Sequence, residues 1–314
     1  MNKTTSRECP RCKKKNDIPD ESEKFKCLHC GANLTKIDRP SLIEVANFTD
    51  DLDNHIHKRI FQDFLSPDFT QIAIDDEKRR AEFFENQFKV LRSLLKANKH
   101  LRSYRRDEVV ELERLKKTNE ESGTDSYVGS IESIELEAEY DAYLMQLKAA
   151  LDSFAKVLNV LLGTSFAGWS KGTDATTREQ LTGLKILNHL KNIGKPSLEI
   201  QSMISFLGAN MDWATRIVKL RDQPVHHGKS VSSGIQFNPK LSATQKAKIV
   251  HGKDQFEDVT SFMERTLYDM TSFVRMITYL GINHILDKGG CKIGVDENDN
   301  FVMVFPDMSG KSPE

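Results

Sequence analysis

The chain has 314 residues, 38% of them hydrophobic and 29% charged, which is enough length and apolar content to bury a core and excludes a disordered polymer. Basic residues number 45 and acidic ones 46, so the net charge of -1 supplies no global pull toward nucleic acid or an anionic membrane, and polyanion binding falls to local patches. No apolar run approaches the ~20 residues of a membrane span, and Met1 to Ser6 do not lead into a signal-peptide core; the expectation is a cytoplasmic protein with no membrane partner.

Residues 1–38 are polar and punctuated by cysteine, ending near Arg39-Pro40. Cys9-Pro10-Arg11-Cys12 and Cys27-Leu28-His29-Cys30-Gly31 form C-x2-C-x14-C-x2-C, in which each pair presents two thiolates to one tetrahedral ion. A small zinc ribbon with one structural zinc on Cys9, Cys12, Cys27 and Cys30 is the expectation. Four thiolates leave no open coordination position, so no catalytic metal is expected. Lys13, Lys14, Lys15, Lys24 and Lys26 either offer nucleic acid or a protein partner local positive charge, or only offset the charge of the thiolates. The fifth cysteine, Cys291, has no evident partner, and this usage fits a reducing compartment.

Residues 39–130 read as a helical arm and linker. Phe84, Phe88, Leu91, Leu95, Leu101, Val109, Leu112 and Leu115 recur at an imperfect three-to-four spacing, a narrow stripe that predicts pairing with one neighbour or with a second copy. From Thr118 to Ser130 the composition predicts a polar loop. Residues 131–288 carry four amphipathic patterns. Leu144, Leu147, Leu151, Phe154, Leu158 and Leu161 form one face that Gly163 stops; a shorter set runs from Leu181 to Leu190; a third runs from Ile200 to Arg221; the last runs from Val259 to Leu280. The expected fold is therefore mainly α, an antiparallel helical bundle. Residues 289–314 alternate around Asp296 to Asn300 and predict a C-terminal β-hairpin and tail.

Chemistry concentrates in Arg221-Asp222-Gln223-Pro224-Val225-His226-His227-Gly228. An arginine keeps its charge, whereas a histidine ordinarily titrates near neutrality, so one group can hold an anion while the other moves protons. A metal-free RNA-cleaving site needs that pairing: the 2'-hydroxyl loses a proton, the 5'-oxygen gains one, and charge at phosphorus is stabilised. Arg221 shares the stripe of Ile200, Ile204, Leu207, Met211, Ala214 and Val218, which points it toward the bundle or a partner surface. Pro224 predicts that the chain turns after Gln223, leaving His226 and His227 in a separate turn beyond the helix. The plainer reading is an arginine that snorkels, pairs with Asp222 and closes a helix.

Lesser candidates each have a structural reading. His227 replaces His226 if the register differs by one, or caps a turn. His55 and His57, two apart, fall on different faces of a helix and read as surface residues. Asp152 either approaches the motif or is solvated. Phe166 and Trp169 either stack a base or anchor a loop, and the basic stretch from Lys185 to Lys195 reads as a solvated face.

The segment Leu220 to Gly228, at the end of the third helix of a bundle opened by Ala149-Ala150-Leu151-Asp152-Ser153-Phe154-Ala155-Lys156-Val157-Leu158, resembles the HEPN family over about half the chain. That family's motif is an arginine, a polar residue directly after it, and a histidine separated from the arginine by four to six residues. Asp222 stands where asparagine is frequent, and Pro224 falls inside the motif. The resemblance implies a HEPN-like bundle that dimerises through the motif-bearing helices and, as in many members, a metal-independent endoribonuclease of toxin, antiphage defence or RNA-processing systems. Carried over by position, Arg221 stabilises the phosphate, Asp222 orients, and His226 is the general acid or base, with RNA the partner and a homodimer the assembly. The alternatives are a non-catalytic HEPN-like binding module and a zinc-ribbon regulatory protein acting through nucleic acid or protein.

Overall fold

The computed structural model describes residues 4–8, 15–19, 52–65, 67–122, 129–131, 133–173, 180–227, 235–238, 243–245, 248–251, 255–287, 292–295 and 301–304. These fall in two compact units, Met1–Asp50 and Asp51–Glu314. In the first, β1 (Thr4–Glu8) and β2 (Lys15–Pro19) pair antiparallel, with Glu8 opposite Lys15. Cys9, Cys12, Cys27 and Cys30 lie outside the described residues. In sequence, the first cysteine pair falls between the two strands.

The second unit is mainly α. Residues 52–57 form α1, which passes through a π-helical turn at Lys58–Gln62 into α2 (Asp63–Leu65), followed by α3 (Pro67–Ala73). The long α4 spans Glu77–Ser122. Asp76 caps it, its Oδ1 accepting from the Arg79 amide at 2.7 Å, which satisfies one of the unpaired N–H groups of the first turn. After β3 (Gly129–Ile131), α5 covers Ile134–Leu162. It begins at an N-cap, Ser133, and stops at Gly163, whose φ of 68° is the left-handed conformation that terminates helices.

Helices α4 and α5 meet along two seams of matching period. On α4 the buried positions 83, 87, 90, 94, 97, 101, 104 and 108 alternate steps of four and three; on α5 the positions 136, 140, 143, 147, 150, 154, 157 and 161 do the same. That 3.5-residue repeat is the geometry of coiled-coil packing. The Arg79 guanidinium donates to the Val160 carbonyl at 2.5 Å, and His100 Nδ1 lies 2.7 Å from Glu139 Oε2, so the helices run antiparallel. This seam is not the stripe expected from the sequence: of the stripe's residues only Leu101 lies on it, and Phe88 and Val109 are exposed. Helix α4 also outlasts the loop expected from Thr118. Thr118 Oγ1 donates to the Arg114 carbonyl at 2.9 Å, and Lys117 lies 3.9 Å from Glu121, an i,i+4 pair in the last turns of the helix, which runs to Ser122.

The bundle is completed by α7 (Leu198–His227) and α8 (Val259–Leu286), with the short α6 (Leu184–Lys191) between α5 and α7. Asp258 caps α8 through the Ser261 amide at 2.9 Å. The Tyr143 hydroxyl donates to the Met263 carbonyl at 2.6 Å, tying α5 to α8; burial pushes this phenol well above the usual tyrosine range. Phe273 of α8 is an aromatic hub, with the rings of Phe154, Trp169, Phe206 and Trp213 between 5.5 and 5.9 Å from it. Each such side chain fully buried contributes about 1.5–3 kcal/mol.

The described strands outside the bundle are short. They comprise β4 (Lys171–Thr173) paired with β5 (Gln180–Thr182), β6 (Ile235–Asn238) between β3 and β7 (Ala243–Gln245), and β8 (Lys248–His251) with β9 (Gln255–Asp258). The expected C-terminal hairpin is present as β10 (Lys292–Val295) and β11 (Phe301–Val304). It is fastened where the Ile293 amide donates to Asn283 Oδ1 at 2.6 Å. Among the described residues no helix is long and apolar enough to cross a membrane.

Candidate functional site

Helix α7 carries the candidate motif, and its buried face fixes where the motif sits. Ile200, Met203, Leu207, Ala214, Ile217 and Val218 are almost fully inaccessible, and Arg221 follows on that face, half-buried. Beyond it the structure corrects the sequence expectation. The helix does not end at Gln223; it runs through Pro224 to His227. A proline inside a helix removes one N–H, the one that would reach the Leu220 carbonyl, and strains the preceding residue without forbidding its α conformation. Positions 222 and 226 thus stand four apart on one continuous helix, the spacing of a shared face, while five residues from 221 to 226 turn through about 140°. The side chains of His226 and His227 lie outside the described residues.

Arg221 and Asp222 are brought together, but not as a hydrogen-bonded pair. Arg221 Nε is 3.2 Å from Asp222 Oδ1, yet it makes no hydrogen bond and is buried from solvent. The contact is therefore a coulombic one whose N–H is misaligned, and the guanidinium keeps its donors unspent among the described residues. Asp222 is engaged from its other oxygen by the Lys171 ammonium. Two cations flanking one carboxylate leave the cluster with a net positive charge.

Lys171 was not legible as a site residue, because it stands on the unanticipated β4–β5 hairpin, 51 positions before Asp222. The hairpin is held in place by three contacts. Thr182 donates its amide to Thr215 Oγ1 of α7 at 3.0 Å. Trp169, 1% exposed, stacks on Phe154 at 6.2 Å. Gly183, at φ 80°, lies so close under the indole that a β-carbon there would come within 2.7 Å of the ring. Trp169 is thus the loop anchor of the plainer reading. Phe166 is half-buried beside His189, their ring centroids 5.7 Å apart.

Asp152 stays partly exposed but is engaged. It receives the Lys148 ammonium at 2.5 Å and the Trp169 amide at 2.8 Å, so it secures the start of the same loop. His55 stacks on Tyr268 with centroids 6.2 Å apart, and His57 lines a surface groove on another side chain set, with Asp53, Asn54 and Arg92. Lys185, Lys191 and Lys195 are exposed.

The cluster at the end of α7 can hold an anion: it has a partly exposed guanidinium and a second cation around one carboxylate. Compared with family models, curated proteins and solved structures, the chain matches none of them.

Proposed function

We propose that the protein is a metal-independent, HEPN-type endoribonuclease of a defence or toxin system, working as a homodimer, with a structural zinc ribbon on Cys9, Cys12, Cys27 and Cys30. The observation that carries this reading is the partly exposed Arg221 guanidinium at the motif-bearing end of α7, with Lys171 as a second cation on the neighbouring Asp222. The exposed part of the guanidinium can donate charge-assisted hydrogen bonds to phosphate oxygens. In the proposed reaction the ribose 2'-oxygen attacks phosphorus and the bond to the 5'-oxygen breaks. His226 carries the proton between the two oxygens, and Arg221 stabilises the charge on the phosphorane. The products are a 2',3'-cyclic phosphate, or the 3'-phosphate after hydrolysis, and a 5'-hydroxyl. Asp222, four residues before His226 and neutralised by Lys171, orients the imidazole. Zinc, when bound, supplies folding energy to the N-terminal unit and no step of the reaction.

The second reading, a binding module that cuts nothing, is favoured by the proximity of Asp222 to Arg221. Product analysis separates the two. The enzyme leaves cyclic phosphate ends in EDTA and does not cut DNA, which lacks the nucleophile; the binding module retains RNA uncut.

A further inference from the structure

We infer that the groove between α1 and the middle of α4 is a binding track for the backbone of a single-stranded nucleic acid, remote in sequence from the motif of α7. The groove has a volume of about 490 Å³, and its α4 wall is formed by Arg92, Lys96, Lys99 and Arg102 around Leu95. These four cations follow one another at steps of four, three and three residues, so they share one face of the helix. They span about 15 Å of helix at ~1.5 Å per residue. About four nucleotides of a stacked strand occupy that length at ~3.4 Å each.

What separates this face from an ordinary solvated one is that its unpaired cations stand together along one groove. Elsewhere along α4, Lys89 pairs with Glu85, Arg105 with Glu264, Arg106 with Asp107 and Arg114 with Glu111, and Arg79 and Arg80 donate to backbone carbonyls, while Lys78 and Lys116 stand singly on the surface among the described residues. Arg92, Lys96 and Lys99 make no ion pair or hydrogen bond through their side chains among the described residues, and all three are exposed. The acid of the groove, Asp53, is already committed. It takes Arg102 at 2.9 Å and the Asn98 amide at 2.8 Å, so it rigidifies the wall without neutralising the three free cations. A chain of net charge -1 thus concentrates uncompensated positive charge in one concave strip.

The linear arrangement favours a strand over a compact anion, because the cations run along the helix and do not converge on one point. Leu95, half-buried between them, gives the sugars or bases an apolar rest. The choice of RNA over DNA rests on the ribonuclease reading above; the existence of the track does not.

The test uses full-length protein carrying Arg221→Lys, to suppress cleavage, and a fluorescent single-stranded RNA 12-mer followed by anisotropy between 50 and 200 mM salt. The triple reversal Arg92→Glu, Lys96→Glu, Lys99→Glu is expected to weaken binding at least tenfold at 100 mM salt and to reduce the slope of log K against log salt by about 2, at ~0.7 per phosphate contact. The milder Lys96→Gln, Lys99→Gln variant, which breaks no contact, is expected to reduce the slope by about 1.4. Reversal of the exposed Lys116, Lys156 and Lys185 changes net charge equally and is expected to cost less than threefold. Equal losses in the two triple variants, or displacement of RNA by polyglutamate of the same charge, would overturn the track. Binding that survives in both groove variants while parent protein still cuts RNA removes the track and leaves the nuclease. Loss of binding in the groove variants, with His226→Ala cutting as fast as the parent, upholds the track and removes the motif as the site of cleavage.

Discussion

Arg275→Met tests how the N-terminal helices are fastened to the bundle, and with them the α1 wall of the groove. Arg275 Nε donates to Asp63 Oδ2 at 2.8 Å, and the two side chains are only 15% and 4% exposed. Burial raises the Asp63 carboxyl above its ordinary range, and the guanidinium works against that rise. Methionine keeps the length and apolar stem of Arg275 but strands a buried carboxylate, which costs about 3–5 kcal/mol. For a unit of this size that corresponds to a fall in Tm of roughly 6–20 °C at pH 7. The pH dependence has a definite sign. A carboxyl whose folded pKa is raised binds its proton more tightly in the folded state, so stability falls as pH rises from the unfolded value of 3.8 through the folded one. Removing Arg275 moves the upper end of that window higher. The deficit of the variant is therefore expected to shrink as pH falls from 7 toward 4, and Asp63→Asn added to Arg275→Met is expected to recover most of the loss. Thermal melts by circular dichroism across this range measure both. A single variant that melts within a degree of the parent at pH 7, or a deficit that grows on acidification, refutes the reasoning.

Thr215→Val leaves the buried Thr182 amide without its acceptor and is expected to cost about 1–3 kcal/mol in chemical denaturation, while Thr215→Ser is expected to cost much less; equal losses would show that the hydroxyl is not what matters. Gly183→Ala forces a β-carbon into a left-handed residue and against the Trp169 ring, for a loss of about 2–5 kcal/mol, and an unchanged denaturation midpoint would contradict it. Elemental analysis of protein purified without chelator is expected to find one zinc per chain. Its removal is expected to unfold the N-terminal segment, and no zinc with four freely reactive thiols would rule the ribbon out.

Strong periodicity made the main helices legible. Leu144 to Leu161 recur without error and Gly163 stops them, so α5 was readable to its last residue. The seam of α4 was not, because Gln87 and Glu108 occupy buried positions that an apolar count passes over, while the counted Phe88 and Val109 are exposed. Gln87 is tolerated there by donating to the Ile60 carbonyl at 2.6 Å, a contact with a residue 27 positions earlier that no local pattern records. At the candidate site the order was similar. The burial of Arg221 followed from helical register, whereas Lys171 reaches Asp222 only through tertiary packing of a hairpin, and the continuation of α7 through Pro224 overrode a local turn signal.

The most direct test of the central claim is a cleavage assay on mixed RNA in excess EDTA, comparing the parent protein with His226→Ala and Arg221→Lys. The account predicts that the parent cuts RNA and leaves 2',3'-cyclic phosphate or 3'-phosphate ends, that His226→Ala is inactive to within background, and that Arg221→Lys falls strongly because an ammonium lacks the planar fork of the guanidinium. Variants that cut as fast as the parent, or a dimeric parent that cuts no RNA even with its cellular partners supplied, would contradict it.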